Sequence, residues 1–180
     1  MAGRIDIIMG CMFSGKSTEI IKSINRYRVL GKKIMIVNHK CDNRYKENSI
    51  VTHDKISIDS ICVNDLDTIK TNGQYKTSDV IVIEEGQFFD NLYEFATTAA
   101  DIDKKIVIVA GLDGDSNRNQ FGDILKLIPH CETVTKLHAL CVKCKDGTPA
   151  CFSKRLINND RQVLIGVDEY IAVCRFHYLE

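Results

Sequence analysis

Three groups of residues in this chain have the types and spacings that carry chemistry. The first is the run Gly10, Cys11, Met12, Phe13, Ser14, Gly15, Lys16, Ser17, which fits G-x-x-x-x-G-K-[ST] in full. Glycines at its first and sixth positions let backbone amides turn inward toward phosphate oxygens, and a helix opening at Lys16 adds the positive end of its dipole. Lys16 would reach the β- and γ-phosphates of a nucleoside triphosphate, and Ser17 would ligate magnesium. A chance glycine turn need not have a strand before it and a helix after it; the order strand, loop, helix points to binding of ATP or GTP.

The second group is the doublet Glu84 and Glu85, which ends the apolar run Val80 to Ile83 and is followed by Gly86, Gln87, Phe88 and Phe89. Phosphoryl transfer needs an acid near the magnesium shell and benefits from a carboxylate that takes the proton of the attacking hydroxyl. Adjacent strand residues face opposite ways, so the two acids do different jobs unless the chain turns sharply there. Glu84, the first acid past the strand, is the candidate for magnesium, and Glu85 the candidate base. Gly86 is permissive and the Gln87 amide can read a base edge. Phe89 fits a core position, while Phe88 suits either a core or a pocket.

The third group is Cys141-x-x-Cys144 with Cys174-x-x-His177. Three thiolates and one imidazole make a closed tetrahedral zinc set, hence a structural one, although a solvated histidine is the alternative for His177. Such a site would tie the chain end back to Cys141 and leave residues 149–173 as a tethered loop able to close over a ligand. The scattered Cys11, Cys41, Cys62, Cys131 and Cys151 fit buried or half-buried thiols.

Positioning these groups requires a sheet. Runs rich in β-branched residues at Arg4 to Met9, Lys33 to Val37, Val80 to Ile83 and Ile106 to Ala110 read as strands, the last three apolar on both faces as in a helix-covered parallel sheet. Helices are predicted from Lys16 to Leu30, closed by Gly31, and from Phe89 to Ala100, with weaker ones at Asp65 to Lys70 and Phe121 to Leu127. Glu132 to Leu137 reads as a further strand. The fold class is α/β, with a P-loop domain over residues 1–137 and a zinc-binding subdomain over residues 138–180.

A chain of 180 residues, 44% hydrophobic and 27% charged, has room for one main core with a small appendage. Lysine plus arginine equals aspartate plus glutamate at 24 each, which argues against a protein that coats nucleic acid. No apolar run reaches the roughly 18 residues that span a bilayer, nor does the first stretch suit a secretory signal, so neither membrane nor export is expected and the location expected is cytoplasmic.

Taken in order, "GCMFSGKST", "DNRY", "THD", "IEEGQFF", "IVIVAGLDG", "CVKC", "KRL" and "VCRFH" resemble the motifs of the type II thymidine kinases, shared by animal cytosolic, bacterial and poxviral-type enzymes. The resemblance covers almost the whole chain. It implies a RecA-like P-loop domain with a zinc domain whose lasso loop closes on thymidine, and ATP, magnesium and structural zinc as cofactors. A homotetramer and feedback inhibition by dTTP are implied too. By the same resemblance Glu85 falls on the catalytic base, Glu84 and Ser17 on magnesium-associated positions, and residues 10–17, Gly86 and Gln87 on the nucleotide site. Asp42, Asn43 and Arg44 fall on a segment linked to the phosphate donor. Met12, Phe88, Leu112, Phe121 and Tyr170 fall on thymidine-pocket positions, as does Ser116, where the family commonly has an aromatic. Arg161, Gln162, Val163, Leu164 and Ile165 fall on the lasso, which holds the base largely through backbone groups.

Two further departures stand out. The family usually has aspartate at position 84; the extra methylene moves the carboxylate by about 1.5 Å, which a water bridge to magnesium accommodates. His177 replaces a common cysteine, a conservative change for zinc. The resemblance also implies a minimal enzyme without the long C-terminal tail of animal members. Two other readings compete with a kinase. A nucleic-acid-dependent ATPase with a zinc ribbon would need a basic, aromatic surface that the charge balance does not favour. A non-catalytic nucleotide binder, suggested by Glu84 and Ser116, is opposed by the intact Lys16, Ser17 and Glu85. Arg118 is equally a candidate for charge stabilisation and for scaffolding.

Overall fold

The computed structural model describes residues 2–41, 49–51, 57–157, 162 and 169–180. From the N-terminus, β1 (Arg4–Gly10) runs into α1 (Lys16–Val29) and β2 (Ile34–His39), followed by the antiparallel pair β3 (Ser49–Val51) and β4 (Ser57–Asp59). Then come β5 (Ile61–Val63), the short helices α2 (Asp67–Lys70) and α3 (Gly73–Thr77), β6 (Val80–Ile83), α4 (Leu92–Asp101), β7 (Ile106–Gly111) and β8 (Thr133–Leu137). Six of these strands form one sheet in the order β5-β2-β6-β7-β1-β8, with every neighbouring pair parallel.

The double-sided apolar strands explain the layering. In β6 all four residues are fully buried; Ile81 and Ile83 enter one core while Val80 and Val82 enter the other. β1 and β7 divide in the same two-residue rhythm, Ile5, Ile7, Val107 and Val109 on one side and Ile8, Ile108 and Ala110 on the other. α1 covers one face with Ile20 and Ile24, one turn apart. α4 covers the other with Leu92, Phe95, Ala96 and Ala99, at the i, i+3, i+4, i+7 spacing of a single helix stripe. Removing one such side chain, Phe95→Ala for example, would cost about 3–5 kcal/mol.

Past Leu137 the elements are small. β9 (Ala139–Leu140) pairs with β10 (Pro149–Ala150), β11 (Phe152–Arg155) pairs with β12 (Tyr170–Val173), and α5 (Arg175–Leu179) follows. Their shared core of Ala139, Cys141, Ala150, Ala172 and Val173 also takes in Cys11 from the loop between β1 and α1.

Three helix boundaries differ from those predicted. α4 begins at Leu92 rather than Phe89, because Glu85 turns into a left-handed conformation (φ 52°) and a 3-10 turn, Gly86–Phe88, intervenes; Phe89 itself is extended. The stretch expected to be helical from Phe121 is instead a 3-10 segment, Ile124–His130, preceded by the left-handed Gly122 and containing Pro129, which has no amide to donate. The helix expected from Asp65 begins at Asp67, since the Asp65 carboxylate accepts the Asp67 N–H at 2.8 Å and acts ahead of the helix. Among the described residues no helix is long and apolar enough to cross a membrane.

Candidate active site

The P-motif joins β1 to α1 as its mechanism requires. Gly15 caps α1 in the left-handed conformation (φ 84°), and Phe13 is left-handed too (φ 65°), so the chain curls between strand and helix. The Lys16 ammonium lies across this curl, donating to the carbonyls of Cys11 at 2.9 Å and Gly10 at 3.2 Å. Among the described residues the buried Ser14 Oγ has no hydrogen-bond partner, the condition of a hydroxyl set for an acceptor such as a phosphate oxygen. The loop is backed by the C-terminal elements: Met12 N–H donates to Ser153 Oγ at 2.9 Å and Cys11 Sγ to the Ala150 carbonyl at 3.3 Å. Burial pushes the Cys11 thiol up, which keeps it a neutral packing group.

The acidic doublet ends β6, two strands from β1 with β7 between, a separation of about 9–10 Å at the sheet. α1 packs over β1 and β7, and its first turn brings Ser17 to the buried Glu84, whose Oε1 accepts a hydrogen bond from Ser17 Oγ at 2.5 Å. Its backbone continues the ladder, with Glu84 N–H donating to the Val37 carbonyl at 2.9 Å. Glu85 goes elsewhere. Its left-handed backbone, which costs a non-glycine residue about 1 kcal/mol or more, swings the carboxylate to Gln87, whose Nε2 donates to Glu85 Oε2 at 2.5 Å. Gln87 is buried and its Oε1 accepts the Leu112 N–H at 2.9 Å, so one amide orients Glu85 and fixes the end of β7 together. The backbone crowds this amide: a Cβ on Gly111 would sit 2.4 Å from Gln87 Oε1, and one on Gly122 would sit 2.2 Å from Gln87 O.

Beside the doublet, Phe88 and Phe121 meet edge to face with centroids 5.5 Å apart, and Phe88 lies 5.7 Å from the His39 ring. His39 is buried at the end of β2; burial holds its imidazole below the ordinary histidine value, and Nδ1 accepts the Cys41 N–H at 3.1 Å. Phe89, 1% exposed, belongs to the core, packing edge-on against His39 at 4.7 Å. Leu112 follows β7 directly, and Ser116 sits on the loop beyond it.

From the C-terminal elements, the Tyr170 hydroxyl accepts from Arg155 Nη2 at 2.9 Å and Nε at 3.2 Å. Gln162 Nε2 donates to Asp115 Oδ2 at 3.0 Å, which brings the one described residue of the expected lasso onto the loop carrying Ser116. Asp42, Asn43, Arg44, Arg161, Val163, Leu164 and Ile165 lie outside the described residues. Arg118, weighed equally between two roles, has its guanidinium over the rings of Tyr178 (4.6 Å) and Phe152 (5.7 Å), a scaffolding contact.

Cys141, Cys144, Cys174 and His177 converge, their ligand atoms all within 4.8 Å of one another. His177 Nδ1 lies 3.5, 3.3 and 3.4 Å from the three sulfurs, and Cys144 Sγ lies 3.8 Å from Cys174 Sγ. Tetrahedral zinc with bonds of about 2.3 Å to sulfur and about 2.05 Å to nitrogen has edges of about 3.8 Å (S to S) and about 3.5 Å (S to N). The four edges given match those of tetrahedral zinc, and with four protein ligands no coordination position remains for catalysis. Burial pushes both the Cys141 and Cys144 thiols up; hydrogen bonds with the backbone of Cys174, Cys144 and Lys143 bring Cys141 down to about 6, while hydrogen bonds with Cys141 and Cys174 take Cys144 further up to about 11, so the first proton of the pair leaves from Cys141.

Three features escaped sequence reasoning: the fold-back of Gln87 onto Glu85, the ring clamp on Arg118, and the bond from the Tyr178 hydroxyl to the Ser116 carbonyl at 2.7 Å. Only the spacing of Glu85 and Gln87 across one glycine hinted at the first.

Known proteins of the same pattern bear on this arrangement. The family model described as Thymidine kinase matches residues 3–178. The chain is similar to "Thymidine kinase a" of Arabidopsis thaliana, 43% identical over 182 residues, covering 99% of this chain and 76% of the relative. It is also similar to the thymidine kinase of Rabbit fibroma virus (strain Kasza), 43% identical over 178 residues, covering 98% of this chain and 96% of that one. "Thymidine kinase 1" of Dictyostelium discoideum is 40% identical, with 99% of this chain and 78% of the relative covered. With the Gly10–Ser17 motif, the acidic doublet and the Cys/His cluster all within the matched span, the chain belongs to the thymidine kinase family.

Proposed function

We propose that this chain moves the γ-phosphoryl group of ATP to the 5′-hydroxyl of thymidine, with Glu85 as the general base. The observation that carries the assignment is the division of the doublet: Glu84 is hydrogen-bonded to the phosphate-loop hydroxyl Ser17, while Glu85 is turned to Gln87. Family membership supplies the reaction. Residues 10–17 cradle the triphosphate through loop amides and the Lys16 ammonium. Ser17 and Glu84 fit a divalent cation, two oxygens already side by side; magnesium bound there would neutralise charge on the phosphates.

The Glu85 carboxylate takes the proton as the 5′-oxygen bonds to the γ-phosphorus, and the bond to the β,γ-bridging oxygen breaks to release ADP. The Gln87 amide keeps Glu85 aimed by donating to one carboxylate oxygen. Met12, Phe88, Leu112, Ser116, Phe121, Gln162 and Tyr170 surround the nucleoside, the apolar members packing the base and its 5-methyl group. Residues 138–180 act as the zinc-bound unit that backs the phosphate loop and covers the nucleoside. Work as a homotetramer in the cytoplasm, and inhibition by dTTP, complete the proposal on family grounds.

The test is transfer of label from γ-labelled ATP to thymidine by the wild-type chain and Glu85→Gln. The glutamine keeps size and hydrogen bonding but accepts no proton, so kcat should fall by about 10²–10⁴-fold with little change in either KM. Undiminished turnover in the variant would remove Glu85 as the base.

A further inference from the structure

Residues 112–122 leave the sheet after β7 and return to the same place. At the outgoing end, Leu112 N–H is bonded to Gln87 Oε1. At the returning end, Phe121 packs on Phe88 and Gly122 lies against the Gln87 carbonyl. Both ends therefore touch the residues that orient the proposed base. Between them the Asp115 carboxylate ties the loop to itself, Oδ1 accepting the N–H groups of Asn117 at 2.8 Å and Asn119 at 2.9 Å. Backbone bonds from Arg118 N to Asp115 O and from Asp115 N to Asn119 O close the same turn. Arg118 is left-handed (φ 66°), so the turn is held in a conformation that a non-glycine residue adopts only under constraint.

α5 holds this turn from outside. The half-buried Tyr178 donates its hydroxyl to the Ser116 carbonyl at 2.7 Å, its ring lies 4.6 Å from the Arg118 guanidinium, and the ring also meets Phe152 at 5.3 Å, which the same guanidinium covers at 5.7 Å. Tyr178 directly follows His177, in the five-residue helix that Cys174 caps. Two of the four zinc-type ligands thus anchor the residue that grips the loop.

We infer that Tyr178 is a positioning residue for the nucleoside side of the active site: it pins the 112–122 loop so that Leu112, Phe121 and Gln87 stay in register with Glu85. The kinetic part of this inference rests on the kinase assignment above, whereas the structural part does not. Tyr178→Phe removes the hydrogen bond and leaves the ring packing, so the fold and the metal cluster are spared. The KM for thymidine should rise about fivefold, the worth of one ordinary hydrogen bond, while the KM for ATP stays within about twofold and bound zinc is unchanged. Hydrogen exchange of the amides in residues 112–121 should quicken by about the same factor, with those of β6 unaffected.

Unchanged thymidine KM together with unchanged loop exchange overturns the inference. So does a parallel rise in both KM values with loss of zinc, which would make Tyr178 a general fold contact. A wild-type chain that does not phosphorylate thymidine would sink the kinase assignment alone, and the exchange comparison would then decide the role of Tyr178 by itself.

Discussion

Shortening Glu84 to aspartate probes whether its reach to Ser17 matters. The Ser17 Oγ to Glu84 Oε1 distance is 2.5 Å. Losing a methylene withdraws the carboxylate by about 1.5 Å, which leaves a gap of about 4.0 Å, beyond hydrogen-bond range. Magnesium holds oxygens at about 2.1 Å in an octahedron, so adjacent ligands sit about 3.0 Å apart. From 2.5 Å the native pair needs to open by only about 0.5 Å to flank such an ion, whereas the aspartate pair must close by about 1 Å or work through a water.

The lost hydroxyl-to-carboxylate bond is worth about 1.5–3 kcal/mol, and a bridging water recovers part of that. The expected result is roughly a tenfold increase in the free magnesium needed for half-maximal rate, the equivalent of about 1.4 kcal/mol. The assay is phosphoryl transfer at saturating thymidine and fixed ATP, titrated with magnesium, with Glu84→Gln as a companion that keeps length and loses charge. Glu84→Asp should leave the KM for thymidine alone. A magnesium requirement equal to or below that of the wild type would refute the idea that this backbone is fitted to the longer acid.

Two other perturbations have defined outcomes. Cys144→Ala removes one of four converging donors, so the purified chain should carry far less than one zinc and melt several degrees lower; full zinc occupancy by metal analysis at an unchanged Tm would contradict a four-ligand site. Acidification should act through His39, whose folded pKa is lowered by burial while its unfolded value stays near 6.5. Between those two values the unfolded chain binds the extra proton, so stability declines as pH falls below about 6.5 toward the lowered folded value. In His39→Asn the denaturant midpoint should lose that dependence; parallel curves for variant and wild type would place its origin elsewhere.

The parts of the site that depend on local chain chemistry were readable in advance. The strand-loop-helix arrangement around residues 10–17 follows from glycine spacing, and the zinc-type cluster from two ligand pairs of matching gap. The sheet was visible because parallel strands buried on both faces carry unbroken apolar runs, as Val80 to Ile83 does. β5 was missed, since Ile61 to Val63 is too short for a periodicity to register. Strand order was hidden as well: nothing local says that β7 lies between β1 and β6, although this sets where α1 must lie for Ser17 to meet Glu84. The left-handed turn at Glu85 had no sequence signal, because such a conformation usually advertises itself with glycine or asparagine and here falls on a glutamate. Contacts such as Gln87 to Leu112 and Tyr178 to Ser116 join residues 25 and 62 positions apart and exist only once the fold has closed.

The crowding around Gln87 sets where this protein can change and where it cannot. Positions 111 and 122 admit no side chain without displacing the Gln87 amide or its carbonyl, so alleles there should be lost in any selection for activity. The rings of Phe88 and Phe121, by contrast, touch each other through an edge that smaller or differently shaped groups can replace. A laboratory search for altered nucleoside preference would therefore find its useful diversity in the aromatic pair and in Leu112, against an immovable backing of glycine and glutamine. The same partition makes resistance to a nucleoside analogue more accessible by repacking the rings than by rebuilding the region around the base.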